Sequence, residues 1–128
     1  MISISFVIPG EPMPKERHRQ GKAWGSNKKV WYTPERTKAY EAEVALRAKA
    51  ARPSRWDPKG MFRVAIEVRC DAPKSNDLDN IMKSIIDGCN KVLWLTDSRA
   101  HICKKSIEEV QDGEPRAVVL VEPVELGA

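Results

Sequence analysis

Several features are missing from this sequence, and each absence removes a class of function. No apolar run approaches the roughly 20 residues that a membrane-spanning helix needs, so no membrane role is expected. The opening residues Met1-Ile2-Ser3-Ile4-Ser5-Phe6 lack a basic leader and a long apolar stretch. They are expected to form the first strand of a cytoplasmic protein and not a secretory signal. The three cysteines, Cys70, Cys89 and Cys103, form no Cys-x-x-Cys pair, and His18 and His101 are the sole imidazoles. Structural zinc needs four closely grouped ligands, which this set does not supply. Each cysteine lies in an apolar pattern and is expected to be a buried, reduced thiol. There is no internal repeat and no low-complexity tract.

What is present fits one small domain spanning residues 1–128. An apolar fraction of 41% is too high for a disordered chain, and 31% charged residues suit an ordinary solvated surface. The net charge of +4 hides an asymmetry. Residues 1–55 carry 12 Lys/Arg against 5 Asp/Glu, whereas residues 56–128 carry 10 against 13. Segregation of this size suggests a basic face for a polyanion beside an acidic centre that must be screened before phosphate approaches. Chance clustering on a soluble surface is the other reading.

Ile2, Ile4, Phe6 and Ile8 alternate with smaller or polar residues, the period of a half-buried strand. The proline-rich Pro9-Gly10-Glu11-Pro12-Met13-Pro14 ends it. Lys15 to Tyr32 is basic and is expected to be an exposed loop or loose hairpin, extended near Val30-Trp31-Tyr32. Thr33-Pro34-Glu35 reads as an N-cap with proline at the first helical position, and the helix should run to about Ala51 with Tyr40, Val44 and Ala48 on one stripe. Alternation from Phe62 to Cys70 marks another strand. A second helix is expected from about Asp77, its stripe made by Leu78, Ile81, Met82, Ile85, Cys89, Val92 and Leu93. Strands are expected over His101–Val110 and Arg116–Glu122, joined as a hairpin through Asp112-Gly113. The fold class that follows is α+β, a two-layer sandwich in which two helices cover one face of a small mixed β-sheet.

The chemistry concentrates in Asn76-Asp77-Leu78-Asp79-Asn80, which puts two carboxylates in the first turn of that second helix. Asp79, Lys83, Asp87 and Asn90 share one flank, beside the apolar stripe. The helix macrodipole eases the repulsion of Asp77 and Asp79 by ~0.3–1 kcal/mol each and does not remove it. A divalent cation would. Asp97, just beyond Trp94-Leu95-Thr96, is placed to add a third carboxylate, and Lys83 to neutralise a phosphate oxygen. Taken singly, Asp77 or Asp79 reads equally as a helix cap, and Asp79–Lys83 as an ordinary i, i+4 ion pair. A calcium EF-hand is excluded, because Ile81 and Met82 stand where it needs an oxygen ligand and a glycine.

Asp77-Leu78-Asp79-Asn80-x-x-Lys83, then Asp87-Gly88, then Trp94-x-x-Asp97, resembles the signature of the RusA-type Holliday junction resolvases, a family common in bacteria and their phages. Pro9-Gly10-Glu11-Pro12-Met13-Pro14-Lys15-Glu16-Arg17 and Tyr32-Thr33-Pro34-x-x-Thr37-x-x-Tyr40-Glu41 resemble that family's basic loop and first-helix entry. The resemblance implies that Asp77, Asp79 and Asp97 bind metal and act in catalysis with Lys83. It also implies Mg²⁺ dependence (with Mn²⁺ as an alternative ion), a homodimer, and paired nicks in four-way or branched DNA. Lys15, Arg17, Arg19, Lys22, Lys28 and Lys29 are the candidate phosphate contacts, and Trp24, Trp31 and Tyr32 are either core or base-stacking residues. The chain departs from the family pattern at Thr96, where a second acid is common, and over Ser98-Arg99-Ala100-His101. Two other readings remain open: a catalytically silent branched-DNA-binding module, and an adaptor whose basic face meets an acidic protein.

Overall fold

The computed structural model describes residues 2–15, 19–22, 29–32, 35–70 and 77–125, with 19–22 and 29–32 described by backbone alone. Strand β1 (Ile4–Pro9) is followed by the short strands β2 (Arg19–Lys22) and β3 (Lys29–Tyr32), then helix α1 (Glu35–Ala51) and strand β4 (Met61–Cys70). Helix α2 (Leu78–Gly88) and strands β5 (Ile102–Gln111) and β6 (Arg116–Val124) complete the order. β2 and β3 pair antiparallel, which makes the loose hairpin of the basic segment a real one. The expected α1 cap, Thr33-Pro34, lies outside the described residues.

The main sheet is mixed, in the order β1-β6-β4-β5. β4 and β5 run parallel because α2 carries the chain back across the sheet between them. β6 lies antiparallel to both β1 and β4. Both helices pack on the same face, with Tyr40, Val44 and Ala48 of α1 and Ile81, Ile85 and Ile86 of α2 buried against Phe6, Ile8, Val64, Ile66, Val119 and Val121. This is the two-layer α+β arrangement expected from the periodicities. No described helix is long and apolar enough to cross a membrane.

One expected connection is different. Asp112-Gly113 does not close a hairpin, since β4 lies between β5 and β6. The link spans two inter-strand spacings, ~9–10 Å, which a two-residue turn cannot bridge. Gly113 still supplies a positive φ of 75°, and Arg116 Nη1 donates to the carbonyls of Asp112 (3.0 Å) and Glu114 (2.9 Å), pinning the wider loop. The cysteine expectation also needs correction. Cys70 and Cys89 are buried and Cys103 is exposed. Phe62 pairs with Ile102 and Arg63 with Lys104, so Cys103 is the extra residue of a bulge on an edge strand and leaves the apolar pattern.

The helices approach closely at Gly88. A Cβ there would lie 2.8 Å from Val44 Cβ, 2.9 Å from Val44 Cγ1 and 3.0 Å from the Glu41 carbonyl oxygen. The last of these is backbone and cannot swing away. Gly88→Ala is therefore expected to destabilise the fold by ~1–3 kcal/mol through overpacking, even though alanine is the better helix former by ~1 kcal/mol. The midpoint of chemical denaturation measures this, and an unchanged midpoint would mean that α1 and α2 slide apart freely.

Candidate active site

α2 begins where Asp77 turns from extended backbone (φ −73°, ψ 123°) into the helix, and its Oδ1 accepts the Asp79 amide at 2.8 Å. Asp77 is thus an N-cap in fact. Its cap orients the first turn, so the exposed Asp79 carboxylate projects beside the packed stripe of Ile81, Ile85 and Ile86. α2 ends earlier than its stripe suggests, at Gly88, with Cys89 as C-cap. Cys89 and Leu93 remain buried through the following turns, and burial pushes the Cys89 thiol up to about 12, which keeps it protonated and inert.

The chain then reverses sharply. Lys91 adopts φ 68°, its amide donates to the Trp94 carbonyl at 2.5 Å, and the fully buried Trp94 indole donates from Nε1 to Asn90 Oδ1 at 2.9 Å. Trp94 packs on Phe62 (ring centroids 6.1 Å apart), which stacks on Trp56 at 4.9 Å. Trp56 Nε1 in turn donates to the Leu93 carbonyl at 2.7 Å. These aromatic anchors fix the start of the loop that carries Asp97. The departures from the family pattern build the rest of it. Thr96 Oγ1 donates to Ser98 Oγ (2.9 Å), and the Ser98 carbonyl accepts the amides of His101 and Ile102, each at 3.0 Å.

Asp79, Asn80, Met82, Lys83 and Ile86 of α2, Asp97 of the loop and Lys105 of β5 line one open cleft of about 410 Å³. Asp79, Asp97 and Lys83 therefore line one cleft. Asp77 caps the adjoining turn and is not part of the lining. Among the described residues no three acidic, imidazole or thiol groups are close enough to form a complete metal cage. Mg²⁺ seldom asks for one: it keeps several waters and takes one or two carboxylates plus substrate phosphate. Two hard-oxygen carboxylates and an amide on one cleft fit that demand.

Ion pairs around the cleft are shared differently from the i, i+4 pair expected between Asp79 and Lys83. Lys83 Nζ lies 3.8 Å from Asp87, and Asp87 is also 3.3 Å from Lys15 Nζ. Lys15 bonds Glu41 as well. Burial alone would lower the Lys15 ammonium, but Glu41 and Asp87 outweigh it and hold its pKa above the usual lysine value. The Lys15 amide donates to the Asn80 carbonyl (2.8 Å), and Ser84 Oγ donates to the Met13 carbonyl (2.6 Å). Lys15 thus ties the proline-rich strap across α1 and α2. Arg17 and Lys28 lie outside the described residues, as do the side chains of Arg19, Lys22 and Lys29 and the aromatics Trp24, Trp31 and Tyr32. Lys105 is the cleft residue that strand periodicity missed, because an unbulged strand assigns it to the wrong face.

No curated protein matched the chain as a relative. A family model described as Endodeoxyribonuclease RusA matches residues 9–122, which takes in the strap, both helices, the acidic cleft and all but the end of β6. The chain belongs to the RusA endodeoxyribonuclease family, whose activity is the resolution of Holliday junctions.

Proposed function

We propose that this protein cuts four-way DNA junctions in a cleft where Asp79 and Asp97 hold a divalent cation, Mg²⁺ or in its place Mn²⁺. The observation that carries this reading is the meeting of Asp79 and Asp97, from separate elements, with Lys83 on one open surface. When bound, the metal would supply Lewis-acid polarisation of the scissile phosphate and activation of the attacking water. Asp77 is the third acid assigned to the site, exposed and capping the turn that presents Asp79. Lys83 offsets negative charge building on the phosphoryl oxygens as one P–O bond forms and the other breaks. Asp87 restrains its ammonium from one side.

Among the described residues one chain carries one such cleft, and resolving a junction takes two cuts. A homodimer with two-fold symmetry would present two identical clefts to one substrate. The hairpin bases Arg19, Lys22 and Lys29, with Arg17 and Lys28, would grip the backbone without selecting sequence. Lys15 contributes by holding the strap from which that hairpin departs. This reading keeps the cytoplasmic location expected from the sequence.

Incubation with Mg²⁺ and synthetic four-way, forked and linear DNA tests the reading. Paired nicks confined to the four-way substrate, abolished by a chelator, are expected. Selective binding without cutting would instead identify a silent branched-DNA module, and neither binding nor cutting would favour an adaptor.

A further inference from the structure

We propose that Lys105 is a phosphate-binding residue of the cleft and acts from β5, whereas Lys83 acts from α2; this rests on the junction-cutting reading above. Its position depends on the β5 bulge. Ile102 is buried on the helix-covered face, so simple alternation would send Lys104 to that face and Lys105 away from it. Cys103 interrupts the pairing, and beyond it Lys105 lies opposite the buried Val64, with Lys104 opposite the exposed Arg63. One extra residue therefore turns Lys105 to the side of α2, where it lines the cleft with Asp79 and Asp97. Bulges commonly re-aim a side chain beside an active site.

The two cleft lysines are not equivalent. Lys83 has Asp87 within 3.8 Å, whereas Lys105 is exposed and pairs with no group among the described residues. No described side chain bonds the carboxylates of Asp79 or Asp97 either. Two carboxylates and two ammonium groups line the cleft, and Asp77 and Asp87 add negative charge beside it, so Lys105 offsets part of the repulsion a DNA strand meets there. A divalent cation would offset the rest. Lys105, unencumbered and anchored on a strand, is the group placed to take a non-bridging phosphate oxygen on the β5 side.

The test compares Lys105→Ala, Lys105→Arg and Lys104→Ala, the last removing the same charge from the opposite face of the same strand. Junction binding is measured in chelator across a salt series, and single-turnover cleavage in Mg²⁺, with a thermal melt confirming the fold of each variant. Lys105→Ala should reduce the log–log salt slope of binding by ~0.7–0.9 for the one lost phosphate contact. It should also slow cleavage at least about tenfold, on the scale of a lost transition-state charge contact. Lys105→Arg should restore the slope and part of the rate, and Lys104→Ala should leave the rate unchanged. A slope unaltered by Lys105→Ala, or a rate loss equal in Lys104→Ala, overturns the proposal. If the unmodified protein binds junctions without cutting them and Lys105→Ala still lowers the slope, the phosphate contact stands and the nuclease reading falls.

Discussion

Asp79→Asn is expected to lower single-turnover junction cleavage on the order of 10²–10³-fold, the scale of losing one preorganised charge contact at a transition state. Junction binding should persist, and the melting temperature should stay close to that of the parent. The separation follows from what the carboxylate does in the fold. The Asp79 amide is what Asp77 caps, and asparagine keeps that amide. Its side chain is exposed and takes part in no described hydrogen bond or ion pair. Loss of its charge forfeits a dipole interaction of ~0.3–1 kcal/mol and relieves repulsion from Asp77, terms of opposite sign. A purely structural Asp79 makes the reverse forecast, with a lower melting temperature and normal cleavage. Measuring rate, affinity and melting on one preparation decides between them, and retained cleavage would remove Asp79 from the reaction.

How far the sequence foretold this depends on whether local or long-range pairing decides each feature. Alternation at Ile4, Phe6 and Ile8 and the i, i+3, i+4 stripe of Ile81, Ile85 and Ile86 report burial directly, so the elements and the two-layer class were readable. Strand order is not local. Asp112-Gly113 carries a turn signal whichever strands it joins, and only the α2 crossover and the placement of β6 beyond β4 show that it spans a gap. The bulge at Cys103 is a matter of register against β4, invisible in β5 itself, and it decides both the exposure of that thiol and the direction of Lys105. In the cleft, Asp79 and Lys83 were legible because helical spacing sets their common flank. Asp97 was legible only as an acid shortly after the helix, backed by the resemblance, since a loop residue has no period. The Lys15 bond to Glu41 joins a strap to α1, and nothing in the basic segment distinguishes it from a surface lysine.

Trp94→Ala should have the largest effect on stability, and it also tests what positions Asp97. Trp94 is fully buried against Phe62, and truncating such a side chain costs ~3–5 kcal/mol through lost transfer energy and an unfilled cavity. The half-buried Asn90 amide loses the indole N–H as well, adding ~1 kcal/mol where water cannot replace it. For a chain of this size the melting temperature should fall by roughly 10–20 °C. Trp94→Phe keeps most of the ring volume and deletes the Nε1 donor, so it should fold with a smaller loss and isolate the loop. The Asn90–Trp94 bond and the Lys91–Trp94 backbone bond close the turn from which Asp97 departs three residues later. With the first gone, Asp97 should be held less firmly, and cleavage per folded molecule should drop while metal-free junction binding is preserved. A Trp94→Phe variant that melts earlier yet cuts at the parental rate would assign the placement of Asp97 to Thr96 and Ser98 alone.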